Sequence, residues 1–526
     1  MLEYVVFPFF LPFSFSFILF LNLFLFINQK TTLLRSLRAK RSILGSGSHH
    51  SGLYNLSTDG IKVDEWPLTL TFEDGKREDI QLSVWDFAGQ EIYGTTHQFF
   101  LSSQGIYIVA WNMEVPLEES SLEHWIWSLC TRAPKAPVIL VGTHRDRLPN
   151  TAVAKAMIQN AEERFAPLLK SRGSALYAFA VSCTTDQGMN KLRACLEDIL
   201  VHHPQLRQEV KGSFLVLEQL VLEERLKSVQ PILSWNAFQT LAVSCGLQDA
   251  DARKAAEFLH HMGTIVNFAN DKERHDLIVI DPQWLSDLFV SLITTKSNYA
   301  NRRAVLNTKM VPHLWRSSKF PPEIHLQLLS LLERFEIIFN MSRRKTKDLV
   351  NDPIEYLVPA ILPEPEPLQE IEKEWPVLRE GIKHCGRVYS FLNFIPSGLF
   401  PRLLVRLLSA TTGEPRVSWR HGMIISKEDE VLLIEELASQ ATLRVSIRGH
   451  NPVSVARVTF DAVNSLFDNP LKQNIQVFVP CVHCLMENSV DVHLFPIADC
   501  EAVAVAGEPF MYCGSDPIRT DTLVPD

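Results

Sequence analysis

The sequence predicts an α/β protein: a doubly wound parallel domain at the front of the chain, followed by a longer α+β region in two parts. Three observations predict it. Short apolar runs at Val84–Phe87, Val138–Val141 and Ala175–Val181 each lead into a loop carrying Asp, Thr or Ser, and helix-sized segments separate them. That alternation is the pattern of a sheet covered by helices on both faces. Behind residue 205 the texture changes to amphipathic helical stretches, and after a Pro- and Glu-rich stretch it changes again to strands at hairpin spacing. At 526 residues the chain has room for about three domains.

In chain order, residues 5–27 come first and read VVFPFFLPFSFSFILFLNLFLFI, free of charge. By hydropathy alone, an uncharged apolar stretch longer than about 18 residues is a membrane-spanning helix. Lys30, Arg35, Arg38, Lys40 and Arg41 would then place the next domain in the cytoplasm. Lys30-Thr31-Thr32-Leu33-Leu34, however, is the second half of a Gly-x4-Gly-Lys-Ser/Thr phosphate loop opening a helix. An anchor ending there leaves no first strand, and no glycine precedes Gly45 to let the backbone wrap phosphates. The tract is built almost wholly of Phe, Leu, Ser, Pro, Ile and Asn, the residues a pyrimidine-rich intron end would encode. The preferred expectation is therefore that 1–28 is a gene-model artefact with the true loop upstream. A membrane anchor is the second reading.

The next motif is Val84-Trp-Asp-Phe-Ala-Gly-Gln90. An apolar strand delivers a carboxylate at Asp86, suited to Mg²⁺. Gly89 can bring a backbone N–H close to a γ-phosphate, because no Cβ stands in the way. Gln90 is the residue type that orients the attacking water in Ras-like GTPases. Upstream, Thr58 in Ser57-Thr58-Asp59-Gly60-Ile61 stands where a switch threonine would ligate the metal, so Thr31, Thr58 and Asp86 form the expected Mg²⁺ set. Downstream, Val138–Val141 leads into Thr143-His144-Arg145-Asp146. A carboxylate at the carboxyl end of such a strand can accept from both N1–H and N2–H₂ of guanine, a pair of donors that adenine lacks. His144, Ser182 and Cys183 would line the base pocket. His144-Arg-Asp146 and Asp86-Phe87 also echo two protein-kinase motifs, but their order is reversed, Ala88 interrupts the second, and the Val-Ala-Ile-Lys strand is missing. The chain carries no kinase domain. The front half thus reads as a Ras-like G domain, residues 29–205, that binds GTP or GDP with Mg²⁺.

Beyond it, helices are expected over Met189–Ile199, Phe214–Leu226, Ala250–Met262, from Pro282 onward, and through most of Leu314–Phe335. Tyr356–Pro363 reads as a strand and Pro363–Pro376 as a linker. Gly386–Phe394 is strand-like, Gly398–Leu408 helical, 417–447 hairpins, and Val453–Phe467 a second helix. The order of motifs resembles the Roco family, which includes the leucine-rich-repeat kinases. The carrying segments are Val84–Gln90, Pro137–Asp146, Ile280–Leu285, Tyr356–Pro363, Phe394–Leu403 and Trp419–Gly422. The Thr-His-Arg-Asp variant of the guanine loop fits that family. The resemblance implies a Roc G domain followed by a COR domain in two halves, 210–365 and 377–475, with 366–376 between them. It also implies homodimerisation through COR, slow GTP hydrolysis, and further domains in the parent protein. Trp284, Pro359, Phe394 and Trp419 are read as packing residues.

The last segment, 476–526, is expected to be a tail. Cys481-x2-Cys484 with Cys500 and Cys513 suggests a zinc site, with His483 and His493 as rival ligands and buried free thiols as the alternative. A formal charge of −9 offers no electrostatic footprint for nucleic acid. The nine cysteines are too scattered for a disulfide framework, which with a nucleotide site indicates the cytoplasm. Membrane association would follow only if the 5–27 tract acts as an anchor. The rival function is a non-hydrolysing scaffold or dimerisation module with a defective nucleotide site.

Overall fold

A computed structural model describes residues 16–18, 20–26, 30–38, 60–72, 74–88, 93–120, 122–203, 208–268, 276–293, 304–344, 353–392, 394–396, 398–467, 472, 474–487, 489–514 and 516–523. These fall into two compact units, one reaching residue 288 apart from 90–96, the other made of 90–96 and 289 onward.

The first unit opens with β1 (Phe20–Phe26) and α1 (Lys30–Arg38), then the long pair β2 (Ile61–Thr71) and β3 (Arg77–Phe87). There follow β4 (Gly105–Asn112), α2 (Leu122–Arg132), β5 (Val138–Thr143), α3 (Thr151–Ser171), β6 (Leu176–Ala180) and α4 (Met189–His202). The six strands run in the order β2-β3-β1-β4-β5-β6, parallel except for the antiparallel edge strand β2. The expected absence of a first strand is therefore corrected. Phe20–Phe26 lies between β3 and β4, pairing with both. A central parallel strand is covered on both faces and calls for a near-continuous apolar run, which the second half of the tract supplies. These seven residues are a strand, not part of a membrane helix. Among the described residues no helix is long and apolar enough to cross a membrane.

One face of the sheet buries Leu82, Val84, Ile106, Ile108, Ile139 and Val141 against Leu33, Leu34 and Leu37 of α1 and Met189, Leu192, Leu196 and Ile199 of α4. On the other face α2 packs on β4 and α3 on β6. The same unit continues into α5 (Gly212–Lys227), β7 (Ile232–Ser234), α6 (Trp235–Ser244), α7 (Asp249–His261), β8 (Val266–Asn267), β9 (Leu277–Val279) and the first seven residues of α8 (Pro282–Ile293). β7, β8 and β9 form a small antiparallel sheet in the order β8-β9-β7, over a core from Phe214 and Leu217 to Ile278 and Ile280.

In the second unit β10 (Val305–Asn307), α9 (His325–Arg334), β11 (Phe339–Asn340) and β12 (Glu355–Leu357) precede α10 (Leu368–Glu374). Three expectations are corrected here. Within 314–335 the helix is interrupted over 315–321 and resumes at Pro322, where a 3₁₀ turn runs into α9, because the Pro321-Pro322 pair cannot continue the preceding helical turn. The strand at 356–363 stops at Leu357, since Pro359 starts a 3₁₀ turn. The supposed linker holds a helix whose Ile371 packs, with Trp375 beyond it, on Val417, Trp419 and Leu433.

A seven-stranded antiparallel sheet follows. It comprises β13 (Lys383–Phe391), β14 (Glu414–Trp419), β15 (Gly422–Lys427), β16 (Glu430–Leu437), β17 (Thr442–Gly449), β18 (Ile475–Pro480) and β19 (Leu494–Pro496), in the order β14-β15-β16-β17-β13-β18-β19. α11 (Leu399–Thr411) and α12 (Val453–Asn464) cover one face with a Leu- and Ile-rich core. Because β18 pairs with β13, and β19 with β18, Ile475–Pro480 and Leu494–Pro496 belong to this sheet and not to a separate tail.

Candidate functional site

Strand register brings the carboxyl ends of β1, β3, β4, β5 and β6 to one edge: Leu25 is opposite Asp86, Phe26 opposite Val109, Asn112 opposite Thr143 and Gly142 opposite Ala180. Ligands bind along this edge in open α/β sheets. Asp86, one residue before the end of β3, is 4% exposed. Lys30 and Thr31 open α1, so their backbone lies at a helix N-terminus, where the first N–H groups and the helix dipole favour anions. Thr58, Gly89 and Gln90 lie outside the described residues.

The guanine-loop candidates come together. β5 ends at Thr143, whose buried Oγ1 donates to the Trp111 carbonyl at 2.9 Å and stands 3.2 Å from His144 Nδ1. His144 turns the chain through a left-handed conformation (φ 61°) into a 3₁₀ turn carrying Asp146. Arg145 N donates to Val181 O at 3.1 Å, so the loop is fastened to the end of β6. Ser182 is fully buried and hydrogen-bonds Asp146, which holds that carboxyl below its usual range. Ser182 also caps its own loop, its Oγ accepting from Thr185 N at 3.1 Å. Burial pushes the neighbouring Cys183 thiol up, and the charges of Asp146 and Asp186 push the same way. Thr143, His144, Asp146, Ser182 and Cys183 thus form one cluster around an exposed, ionised acceptor.

Two contacts that sequence reasoning missed tie this cluster to α1. Ser36 Oγ donates to the Cys183 carbonyl at 3.4 Å. Arg193 of α4 donates to Ser36 O at 2.5 Å and Leu37 O at 3.3 Å, capping the carboxyl end of α1, and pairs with Asp186 at 3.1 Å. The helix that opens with Lys30 is therefore fixed to the base loop. A lone arginine in an amphipathic helix carries no motif that would have disclosed this. A third contact comes from Gln283, next to Pro282 in the Ile280–Leu285 segment. Its amide nitrogen donates to Ile61 O at 2.8 Å and its oxygen accepts from Val63 N at 2.9 Å, while Ser286 Oγ accepts from Ile61 N at 3.2 Å. α8 thus pairs the start of the outer edge of β2, at Ile61 and Val63.

Asp86, a buried carboxylate, is the donor type that suits a hard cation held by oxygen. At the other end of the chain the sulfurs of Cys481, Cys484 and Cys513 all lie within 4.8 Å of one another. Cys500, expected as the fourth ligand, is fully buried in an apolar cluster with Val479 and Phe495 and stands outside that group. His483 and His493 are exposed and outside it too.

Residues 48–146 match the family model described as Ras of Complex, Roc, domain of DAPkinase. Residues 213–362 match the C-terminal of Roc, COR-A domain, and 383–526 the C-terminal of Roc, COR-B domain. Among curated proteins of Dictyostelium discoideum, probable serine/threonine-protein kinase pats1 is 36% identical over 94% of this chain and 16% of its own length. Cyclic GMP-binding protein C is 29% identical over 94% of this chain and 20% of its own length. Probable serine/threonine-protein kinase roco5 is 26% identical, over 83% and 19%. The chain thus spans a fifth or less of these relatives. A solved structure of Methanosarcina barkeri Roco2 RocCORdC bound to GDP superposes with a TM-score of 0.48 at 21% identity, covering 66% of this chain and 98% of that one.

Proposed function

From the premise that this chain belongs to the Roco family, as a Roc–COR region, we propose that it binds GDP and GTP at the carboxyl edge of the front sheet and hydrolyses GTP slowly. The observation that carries this reading is the cluster around Asp146. Its carboxylate is kept ionised by Ser182 at the ends of two adjacent parallel strands, and it is tied to the helix that begins with Lys30. Such an acceptor pairs with the two donors on the guanine edge and leaves adenine unmatched.

In this reading His144, Thr143 and Cys183 shape the base pocket. Lys30 and the first amides of α1 hold the β- and γ-phosphates. Asp86, with Thr31 and Thr58, would hold Mg²⁺, which neutralises phosphate charge when bound. Gly89 donates its amide to the γ-phosphate and Gln90 orients the attacking water. A positioned water alone sustains hydrolysis on the order of 10⁻⁴ s⁻¹, and a charge-neutralising arginine adds several orders of magnitude. A partner subunit in a COR-mediated homodimer is a source of that arginine. All nine cysteines are free thiols, in keeping with a reducing cytoplasm. Two relatives, pats1 and roco5, are probable serine/threonine-protein kinases, which supports a Ser/Thr kinase domain elsewhere in the parent protein.

One observation favours a second reading, a scaffold with a weak nucleotide hold. Only residues 27–29, Ile-Asn-Gln, connect β1 to α1, whereas a phosphate loop places Gly-x4-Gly before its lysine. Competition against fluorescent GDP separates the two. The nucleotide-binding reading requires displacement by GDP and GTP at micromolar concentration or below and none by ADP. Equal displacement by ADP, or no binding at all, leaves the scaffold.

A further inference from the structure

Four of the nine cysteines fall within residues 481–513, and three of them converge, two from one short helix and its N-cap and one from a hairpin. Cys481 ends the loop after β18 and caps the short helix α13 (Val482–Met486), which carries Cys484. Cys513 closes β20 (Phe510–Cys513), the first strand of a hairpin with β21 (Asp516–Arg519), turned at Gly514 with φ +63°. Cys484 Sγ and Cys513 Sγ are 3.6 Å apart, and all three sulfurs lie within 4.8 Å of one another. A disulfide requires about 2.05 Å. Three thiolates on a tetrahedral zinc at about 2.3 Å stand about 3.8 Å from each other; the Cys484–Cys513 separation of 3.6 Å is close to that, and the 4.8 Å bound on the other pairs admits it.

A second, independent observation is how little else holds this region. α13 has five residues, β20 and β21 four each, and α14 (Ile497–Val505) nine. Their shared core is Val479, Cys481, Phe495, Cys500, Ile518 and Leu523, while Val490, Val505 and Tyr512 face solvent, the first 98% exposed. Short elements over so small a core need a covalent or metal staple. The backbone around Cys484 is already shaped for one. Cys481 N donates to His493 O at 2.8 Å, and the His493 backbone in turn hydrogen-bonds the Cys484 thiol.

We propose that Cys481, Cys484 and Cys513 bind one zinc-class divalent cation, which fastens the β20–β21 hairpin to the edge of the seven-stranded sheet. Each thiol gives up its proton on binding, three in all, and the ion's fourth place is filled by water or by an exposed neighbour such as His483 or Asp516. Cys500 is a packing residue and takes no part. The test uses the full chain, purified under reducing conditions and reconstituted with zinc. Elemental analysis is expected to give one zinc per chain, lost in Cys484→Ser and kept in Cys500→Ser. Cobalt(II) in place of zinc reads the site in the unaltered chain, so a variant that fails to fold does not blunt the test. Thiolate-to-cobalt charge transfer with tetrahedral ligand-field bands is expected. Either no stoichiometric metal in the reconstituted chain, or a Cys484–Cys513 disulfide in the reduced preparation, overturns the proposal. So would zinc retained by Cys484→Ser or lost with Cys500→Ser.

Discussion

His384, on β13, shows how one side chain sets the response of the second unit to acid. It is 7% exposed, neither ring nitrogen has a hydrogen-bond partner among the described residues, and burial, reinforced by the Arg448 guanidinium, pushes its pKa down to about 3. Above about pH 6.5 the ring is neutral folded or unfolded, and stability does not depend on it. As pH falls from about 6.5 toward 3, the unfolded chain takes up a proton that the folded chain refuses, so stability falls throughout that window. Replacing His384 by Leu should flatten this slope, read as hydrogen-exchange protection of β13 and β17 at pH 7 and pH 5 after correction for intrinsic rates. An equal acid loss in the variant would mean that other groups control it. Gly422 makes a second residue-scale case. A Cβ there would sit 1.9 Å from the Trp419 ring, and both residues belong to the β14–β15 hairpin. Gly422→Ala must therefore displace a buried indole, at a cost of about 1–3 kcal/mol. Denaturant unfolding of the variant, followed by intrinsic fluorescence, checks this. The segment Trp419–Gly422 was visible in the sequence, but its reason, an indole lying over a bare backbone, emerges only from the fold.

At the scale of elements, two joints matter. Glu336, 6% exposed and in a left-handed conformation just past α9, receives Arg402 Nε at 2.9 Å and Arg406 Nε at 2.5 Å from α11. Arg406 reaches on to Ser465 Oγ at 2.8 Å, beyond the end of α12. Burial alone would raise the Glu336 pKa, but the two guanidiniums outweigh it and bring it below its ordinary value. The ion pairs therefore stabilise at neutral pH and are lost as pH falls through the carboxyl's lowered pKa. Glu336→Gln leaves two partly buried guanidiniums without their charged acceptor and should cost about 1.5–3 kcal/mol, visible as earlier unfolding of the full chain in denaturant. The other joint is Gln283, whose amide takes the place of a neighbouring strand along β2. Gln283→Ala should speed amide exchange at Val63, whose N–H it pairs, and leave the core of β4 protected. Unchanged exchange at Val63 would show that Ser286 and the strand itself suffice. Pro282 predicted where this helix starts, whereas the task of its second residue depends on β2 being an edge strand, which no local pattern states.

For the whole molecule, the motif order disclosed the architecture because each motif sits at the end of a strand. β5, β6, α4 and α8 lie close to where apolar runs and capping residues placed them. The first strand was misjudged because an apolar tract reads alike whether it faces lipid or the two covered faces of a parallel sheet. Only its pairing with Asp86 and Val109 strands decides. The start of the segment from 476 onward was misjudged because Ile475–Pro480 is too short to advertise that it completes a distant sheet. Within the candidate site, the residues proposed to meet the base, Thr143, His144, Asp146, Ser182 and Cys183, were legible as a set that the fold brings together, and those that brace the cluster, Ser36 and Arg193, were not. The central claim is that this edge reads guanine through Asp146. Calorimetric titration of GDP into the full chain and into Asp146→Ala tests it most directly. Losing a hydrogen-bonded charge should weaken binding at least about tenfold, and more as both donors lose their acceptor, with circular dichroism unchanged. Equal GDP affinity in the two proteins, or no heat in either, would contradict it.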